Sequence, residues 1–416
     1  MCVVGSEALV QHHHIPYMSA RLTSSPLVVV AFQSGARANG GLESLVRIIE
    51  ALPREVTVLT DREGDVAERA RRAGREVHVW SVAPVNPHEH LDWLEGRLAR
   101  APALGWFNER VHRLVRSRGA RVVLANDIRS FWHAAPGARA SGARVIFTVR
   151  DMFPVDRPYG PKWRLTRHLA DVIVTLSDSM RTETLERVRP YASAGAPVER
   201  IYSIVDDVAS APSQLDEKRE LRTRLNLPVE GPLFVVVGSF CDKKNQLDLI
   251  RRAATELLAA NSDGTLAFVG DFEPEADAYA RKCLEAADSA RGGRDRVRFV
   301  GFSRDVRAYY RAATATCVAS RYEGLARSMI ESLAMGTPVV SFDVTSAREI
   351  LVARETGLVR PQGDYRGLVA DLNRLAREPA LRERLAANGI AAARQLFGAD
   401  TAIQQWERIL TMAERR

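Results

Sequence analysis

The chain has 416 residues, of which 46% are hydrophobic and 26% are charged. These proportions belong to folded globular proteins and exclude wholesale disorder, and the length exceeds what one hydrophobic core usually serves, so two domains are expected. The formal charge of +8 favours anionic partners, but 51 acidic residues accompany 59 basic ones, which indicates a surface bias and no polybasic tail.

Targeting and membrane signals are not found in the sequence. No apolar run reaches the roughly 18 residues of a membrane-spanning helix, and residues 1–25 lack a secretory signal pattern. We therefore expect residues 1–25 to form a flexible N-terminal tail of a cytoplasmic protein. Four scattered cysteines fit a reducing compartment and argue against structural zinc: Cys2, Cys241, Cys283 and Cys317.

The first half of the chain alternates apolar runs with amphipathic stretches. The run PLVVVAFQ at 26–33 predicts a buried parallel strand, and LESLVRIIEAL at 42–52 keeps the spacing of a helix. Further strands are predicted at 55–60, 76–82, 120–127, 143–151 and 171–177. This alternation predicts an N-terminal Rossmann-like domain of residues 26–207, built on a doubly wound sheet.

The second half repeats the same alternation after a polar, turn-rich linker around 205–218. Its helices include those predicted at 245–260 and 275–290. We predict a C-terminal Rossmann-like domain of residues 208–396 and a C-terminal helix at 397–416, whose return to the N-terminal domain is left open. The predicted fold class is α/β, with two doubly wound domains facing across a cleft that binds ligands at the strands' carboxyl ends.

One strand-end segment, EGLARSMIESLAMGTPVVS at 323–341, contains two glutamates eight positions apart, Glu323 and Glu331. A helix predicted to begin near Leu325 or Ala326 offers unpaired backbone N–H groups and a partial positive charge, which suit a phosphate. A carboxylate suits neighbouring sugar hydroxyls because it accepts two hydrogen bonds at once. On spacing alone, an ordinary helix with a solvated Glu331 is an equally open interpretation.

Several well-known catalytic motifs are missing from the sequence. It has no Gly-x-Gly-x-x-Gly, no Gly-x-x-x-x-Gly-Lys-Ser/Thr, no His-Glu-x-x-His and no Gly-x-Ser-x-Gly, and no two aspartates are separated by one residue. A dehydrogenase, a P-loop ATPase and a transferase that holds its donor through a metal ion are therefore disfavoured. We expect no metal cofactor.

The segment EGLARSMIE with SLAMGTPVVSFDVTSAREIL resembles the Glu-x7-Glu signature of retaining GT-B glycosyltransferases of family 4, also called glycosyltransferase group 1. VVVGSFCDKKNQLDLI resembles the lysine loop of that family, and VRFVGFSRDVRAYY its Phe-x-Gly segment. GGLESLVRIIEAL resembles its Gly-Gly loop and first helix. The resemblance extends from about residue 27 to 410 and is stronger in the second half.

The resemblance implies a hexosyltransferase-type enzyme that uses a UDP- or GDP-sugar and has no covalent nucleophile. Catalytic roles fall to Glu323 beside the sugar, Lys244 at the diphosphate, and Arg150, which stands where the family has histidine. Glu331 would hold the ribose, and Gly301 and Phe302 would border the base. The donor-binding positions implied by the resemblance are Gly40, Gly41, Gly238, Ser239, Lys244, Gly301, Phe302, Leu325, Ala326, Arg327 and Glu331.

Ser239 departs from the family pattern because it replaces an arginine, so one diphosphate cation is missing. Arg327, predicted in the first helical turn, is poorly placed for the helix dipole. Two interpretations follow: Arg327 supplies the missing charge, or it is turned to solvent.

Two stretches of the N-terminal domain, 105–118 and 157–168, mix basic with aromatic residues. The family binds its acceptor in this domain. For 105–118 we favour core burial over contact with an anionic membrane, and for 157–168 the two interpretations are balanced. The residues predicted to contact the acceptor or a membrane are Arg157, Lys162, Trp163 and Arg164.

The predicted function is therefore metal-independent retaining transfer of a sugar from a nucleotide sugar to a saccharide or lipid-linked acceptor, in polysaccharide or glycolipid synthesis. A peripheral position at the inner face of a membrane is left open, and nucleic acid is not an expected partner. The alternatives are a sugar-nucleotide epimerase of the same fold and a non-catalytic membrane- or RNA-binding relative. The Glu-x7-Glu segment disfavours the first, and the retained Glu323, Lys244 and Glu331 disfavour the second.

Overall fold

The structure, a computed structural model, describes residues 24–33, 40–81, 95–150, 152, 168–188, 195–205 and 207–416, with the backbone alone for 95–102, 187 and 188. Within these ranges the chain forms two sheets, one of seven strands and one of six, and all of the strand pairs are parallel. The two-domain α/β fold predicted from the sequence is confirmed.

The N-terminal domain is built on the seven-stranded sheet, whose strand order is β3-β2-β1-β4-β5-β6-β7. Its strands are β1 (Leu27–Val30), β2 (Val56–Thr60), β3 (Glu76–Val79), β4 (Val122–Ala125), β5 (Arg144–Thr148), β6 (Val172–Thr175) and β7 (Val198–Arg200). Its helices are α1 (Gly40–Ala51), α2 (Asp65–Arg72), α3 (Glu95–Ser117), α4 (Ile128–Ala140) and α5 (Asp178–Val188).

Both faces of this sheet are covered, which explains why its strands are continuous apolar runs. Successive side chains of a strand point to opposite faces. Leu27 and Val29 belong to the apolar cluster that includes α1, whereas Val28 and Val30 belong to the cluster that includes α3 and α4.

The C-terminal domain is built on the six-stranded sheet, whose strand order is β10-β9-β8-β11-β12-β13. Its strands are β8 (Leu233–Val237), β9 (Thr265–Val269), β10 (Val297–Gly301), β11 (Ala315–Val318), β12 (Val339–Phe342) and β13 (Gly357–Arg360). Its helices are α6 (Leu215–Arg224), α7 (Gln246–Leu249), α8 (Thr255–Ala260), α9 (Ala278–Asp288), α10 (Gly293–Arg296), α11 (Val306–Ala312), α12 (Arg327–Ala334), α13 (Tyr365–Arg377) and α14 (Pro379–Leu396). A 3₁₀ turn (Asp242–Lys244) precedes α7, and π-helical segments occupy Ile250–Ala254, between α7 and α8, and Arg348–Val352.

The last helix, α15 (Ala399–Glu414), packs on the N-terminal domain. Trp406 is buried in the same apolar cluster as Leu27. The guanidinium of Arg54, which is fully buried, bonds Glu407 at 2.6 Å and Glu414 at 2.9 Å. The chain thus returns to the domain in which it began.

A carboxylate of the C-terminal domain joins the two domains at the start of α5. Glu349 accepts hydrogen bonds from the Ser179 backbone N–H at 2.7 Å, from the Ser179 hydroxyl at 2.6 Å and from the Asp178 N–H at 3.2 Å. The Tyr202 hydroxyl also donates to it. A helix start has unpaired N–H groups and a partial positive charge. An acidic side chain there accepts hydrogen bonds from the N–H groups and is attracted by the charge.

Two elements differ clearly from the sequence-based expectations. The third strand ends at Val79 instead of residue 82. The helix expected at 245–260 is interrupted by the π-helical segment Ile250–Ala254. Apolar spacing locates the middle of an element better than its ends, because capping and local distortions decide the ends.

We predict that Glu349→Gln lowers the melting temperature at pH 7 by about 2–6 °C, because it removes charge-assisted hydrogen bonds between the domains. Burial raises the pKa of Glu349, but the hydrogen bonds from Ser179 and Tyr202 lower it by more. The pKa of Glu349 therefore lies below the usual value. The stabilisation is therefore present above pH 4.5, the ordinary glutamate value, and is lost as the pH falls below it.

Calorimetric melts of the parent and variant at pH 7 and pH 3.5 check this prediction. Glu186→Gln, an exposed glutamate on the same helix, is the matched control. If the Glu349→Gln variant has the same melting temperature as the parent at pH 7, these bonds do not hold the domains together.

Candidate active site

The lysine loop follows β8 at the carboxyl edge of the second sheet. The side chain of Lys244 runs over Gly238, where a Cβ would lie 3.2 Å from the lysine Cε. Asn245 adopts a left-handed conformation with φ of 62°. Its Nδ2 donates to the Ala319 carbonyl at 3.0 Å and to the Tyr365 hydroxyl at 2.9 Å. These bonds fix the loop against the exit of β11.

A buried carboxylate lies between the two lysines of this loop. The side chain of Glu323 is 6% exposed, and its oxygens lie 2.6 Å from Lys244 Nζ and 3.3 Å from Lys243 Nζ. Burial raises the pKa of Glu323, but the positive charges of Lys244 and Lys243 outweigh it and hold the pKa at about 2. The group is therefore an anion at neutral pH, and the three side chains together carry one net positive charge.

The family resemblance predicts that Lys244 contacts the diphosphate of the donor. In the structure the Lys244 ammonium donates a hydrogen bond to Glu323. Lys243 was not predicted, although the adjacent Lys-Lys in CDKKN was its signal. Ser239 is exposed in the same loop. Lys243 thus adds a second cation to the loop in which Ser239 replaces the family's arginine.

The N-terminal domain touches this cluster directly after Glu323. A Cβ on Gly324 would lie 2.3 Å from the carbonyl oxygen of Arg150, so only glycine fits there. The Nε of Arg150 donates to the Asn126 side-chain oxygen at 2.9 Å and to the Asn126 carbonyl at 3.2 Å. The Arg150 backbone thus lies against the residue that follows Glu323, and Asn126, which the sequence did not single out, orients the Arg150 side chain.

The helix after Glu323 begins at Arg327, two residues later than the earliest expected start at Leu325. Leu325 and Ala326 are buried in the apolar core, and Ala326 is extended with φ of −64° and ψ of 110°. The chain therefore enters the helix by inserting these two side chains first. Three residues separate Glu323 from Arg327, the first residue of α12.

Glu331, one turn into α12, has two partners. Arg327 Nε lies 2.6 Å from one carboxylate oxygen, and the buried Tyr310 hydroxyl donates to the other at 3.2 Å. The Glu331 side chain is 22% exposed, so it is accessible from one side. A carboxylate has about four lone-pair sites, which leaves acceptor capacity for a ligand.

The Arg327 side chain is not turned to solvent. Its Nη1 donates to the Ser44 hydroxyl at 2.9 Å and to the Ile204 carbonyl at 3.1 Å, both in the N-terminal domain. The solvent interpretation is therefore wrong. These contacts do not test the other interpretation, in which Arg327 supplies the missing charge at the phosphates.

The remaining donor-binding candidates lie on neighbouring elements. Gly301 ends β10, and Phe302 follows it with 46% of its surface exposed. Gly40 and Gly41 open α1, and a Cβ on Gly40 would lie 3.2 Å from Arg327. The structure therefore brings the glycine loop of the N-terminal domain to the start of α12.

The four residues predicted to contact the acceptor or a membrane are not tested by the structure. Arg157, Lys162, Trp163 and Arg164 lie outside the described residues. In the stretch 105–118 the core interpretation is right for Phe107, Val111, Leu114 and Val115, which are buried. It is wrong for Trp106, which is 58% exposed and lies 4.6 Å from the guanidinium carbon of Arg110.

Metal-binding clusters and membrane-spanning helices are not found in the described ranges. No group of three or more His, Cys, Asp or Glu side chains there could hold a metal ion. Among the helices of the same ranges, none is long and apolar enough to cross a membrane.

Two family models match the chain and together cover most of it. "Glycosyltransferase Family 4" matches residues 38–208, and "Glycosyl transferases group 1" matches residues 217–392. The chain belongs to the group 1 glycosyltransferases of family 4 type, and the resemblance seen in the sequence is confirmed.

Curated relatives are similar over part of their length. Alpha-D-kanosaminyltransferase of Streptomyces kanamyceticus is 28% identical over 53% of this chain and 54% of the relative. The lipopolysaccharide core biosynthesis mannosyltransferase LpcC of Rhizobium leguminosarum bv. viciae is 32% identical over 39% of this chain and 46% of the relative. The chain spans about half the length of these relatives.

Solved structures share the fold at low sequence identity. HepE of Anabaena, solved in complex with UDP, has a TM-score of 0.74 and 18% identity, covering 93% of this chain and 100% of that chain. Sucrose-phosphate synthase of Thermosynechococcus elongatus has a TM-score of 0.72 and 20% identity, covering 93% and 98%. These likenesses establish the GT-B fold.

We predict that Lys243→Met/Lys244→Met destabilises the protein at pH 7 by ~3–5 kcal/mol, because Glu323 keeps a buried charge without a partner. Adding Glu323→Gln should recover much of that loss. In the parent, a pKa of about 2 means that Glu323 contributes stability above pH 4.5 and loses it as the pH falls toward 2.

Thermal unfolding of the parent, double and triple variants at pH 7 and pH 4 checks these expectations. Without the lysines, burial should raise the Glu323 pKa, so the double variant should lose less stability at pH 4 than at pH 7. A triple variant as unstable as the double one would contradict this account of the buried charge.

Proposed function

We propose that this protein is a retaining glycosyltransferase that moves a sugar from a nucleotide sugar to a saccharide or lipid-linked acceptor. One observation carries the proposal. Glu323 is buried as an anion between Lys244 and Lys243, four residues before the start of the helix that presents Glu331.

At the diphosphate, the lysine pair and the start of α12 supply positive charge. A diphosphate leaving group gains negative charge as the glycosidic bond breaks, and fixed cations stabilise that charge in the transition state. Lys244 holds Glu323, and Lys243 provides the second cation in place of the arginine that Ser239 replaces. The exposed ring of Phe302 offers a face for the base, and Glu331 offers oxygens to the ribose hydroxyls.

At the sugar, Glu323 acts by charge and not by proton transfer. With a pKa of about 2 it holds no proton at neutral pH, so it cannot serve as a general acid. A carboxylate beside the anomeric carbon stabilises the positive charge that develops there. The acceptor then attacks the face that the leaving group vacates, and a donor phosphate oxygen takes its proton.

The donor is a UDP- or GDP-sugar in this proposal, and no metal ion is required because cationic side chains meet the phosphates. HepE, which shares the fold, has been solved with UDP and with UDP-glucose, which supports a uridine nucleotide.

The acceptor binds on the N-terminal domain, beside Arg150. The names of the relatives, which include lipopolysaccharide core enzymes, support a saccharide or glycolipid acceptor. We also propose a cytoplasmic location with peripheral contact to an anionic membrane, for which the formal charge of +8 is the support.

A panel of UDP- and GDP-sugars, incubated with the protein alone and with EDTA, tests the proposal. We expect slow release of nucleotide from one donor, at a rate that chelation leaves within about twofold, since the cations are side chains. The measurement is chromatography of both nucleotide and sugar. Conversion of the sugar nucleotide to its epimer, or turnover that stops with EDTA and returns with magnesium or manganese, would reject this mechanism.

Substitutions of Glu331 and Glu323 should change different kinetic parameters. Glu331→Ala removes hydrogen bonds made in ground and transition states alike, worth ~1.5–3 kcal/mol, so the donor KM should rise ~10–100-fold with kcat little changed. Glu323→Gln keeps the shape but removes the charge beside the sugar, so kcat should fall most. Steady-state kinetics of donor hydrolysis check this division, and matching profiles for the two variants would refute it.

A further inference from the structure

Arg327 breaks two local rules of helix stability. It stands at the first position of α12, where the helix dipole favours acidic side chains. It precedes its ion-pair partner Glu331 by four residues, the less favourable order for a pair on one helix. Since the helix itself gains little from Arg327, the reason for this residue lies outside the helix.

The other contacts of Arg327 cross the cleft between the domains. Nη1 bonds the Ser44 hydroxyl of α1 and the Ile204 carbonyl, and both of these residues are buried. The stem of the side chain passes over Gly40, at the start of α1. One guanidinium therefore joins the carboxylate proposed to hold the nucleotide to the first helix of the other domain.

The Arg327 bridge, which connects Glu331 to Ser44 and Ile204, leaves Glu331 able to bind a ligand. Arg327 occupies one carboxylate oxygen and Tyr310 the other, which fixes the plane of the carboxylate without filling its lone pairs. The Arg327 side chain is only 15% exposed, so this geometry is held by packing as well as by charge. A fixed acceptor loses less conformational entropy when a ligand binds.

We propose that Arg327 is a positioning residue that presents Glu331 to the nucleotide and holds the N-terminal domain closed over it. This inference rests on the proposed glycosyltransferase function. It assigns Arg327 the coupling of nucleotide binding to domain closure through Ser44 and Ile204. A rescue of Arg327 variants by Ser239→Arg is not expected, because in this arrangement the arginine does not replace a phosphate ligand.

Three variants separate the two halves of the bridge. Arg327→Met keeps the stem and removes the charge, so we expect the Kd for UDP to rise about tenfold and kcat of donor hydrolysis to fall. Ser44→Ala removes only a contact to the other domain, so kcat should fall about threefold while the Kd stays within twofold. Arg327→Lys should recover most of the UDP affinity and little of kcat, because one ammonium cannot reach both Glu331 and Ser44.

Titration calorimetry with UDP and GDP and steady-state hydrolysis of the active sugar nucleotide provide the readouts. Arg374→Met is the matched control, because Arg374 and Glu378 form another arginine–glutamate pair four residues apart, at the end of α13. We expect parental kinetics from it. The double variant Arg327→Met/Ser44→Ala should resemble Arg327→Met alone, since both changes break one bridge.

Parental Kd and kcat in Arg327→Met, or additive losses in the double variant, would overturn the inference. So would recovery of kcat by Ser239→Arg in the Arg327→Met background. If Arg327→Met does not fold, Arg327→Lys and Ser44→Ala decide the question by the split between Kd and kcat. A parent protein that binds neither nucleotide and hydrolyses no donor would instead refute the proposed function, so the two failures are distinct.

Discussion

The buried ion pair of Glu323 with Lys244 and Lys243 is the interaction on which the rest of the site depends. A carboxylate taken out of water is costly unless cations and hydrogen bonds surround it. Here the compensation comes from a loop on a different strand, so the lysine loop has to lie against the exit of β11. The left-handed Asn245, bonded to Ala319 and Tyr365, holds the loop in that position. Charge balance at one carboxylate thus sets the geometry of two loops.

Residues close to Glu323, together with Glu349, also determine how the two domains contact each other. Gly324 follows Glu323 and lies against the Arg150 carbonyl, so the charged cluster cannot shift without moving the N-terminal domain. Glu349 caps the start of α5 from across the interface, and Arg327 reaches Ser44. All three contacts come from loops or helix starts at the carboxyl ends of C-terminal strands. Contacts between the two domains therefore concentrate at this edge of the C-terminal sheet.

The sequence predicted what depends on local periodicity, and missed what depends on distant partners. Apolar runs predicted both sheets because buried parallel strands have no polar face. The later start of α12 was missed because Leu325 and Ala326 are buried in the core before the helix begins, with Ala326 extended. Lys243 and Asn126 were missed because only folding brings them to Glu323 and Arg150. Trp106 does not share the helical spacing of the buried Phe107, Val111, Leu114 and Val115, and it is exposed.

Local conflicts in the sequence were informative where they pointed to contacts across the interface. Arg327 is unfavourable for the dipole of its own helix, yet the structure gives it three partners, two of them in the other domain. Gly40 weakens the start of α1, yet its lack of a side chain admits the arginine stem. Arg327 and Gly40 each destabilise their own helix slightly, but each allows a contact with the other domain. Sequences are locally consistent except where function or assembly demands otherwise, so such paired exceptions indicate where two domains act together.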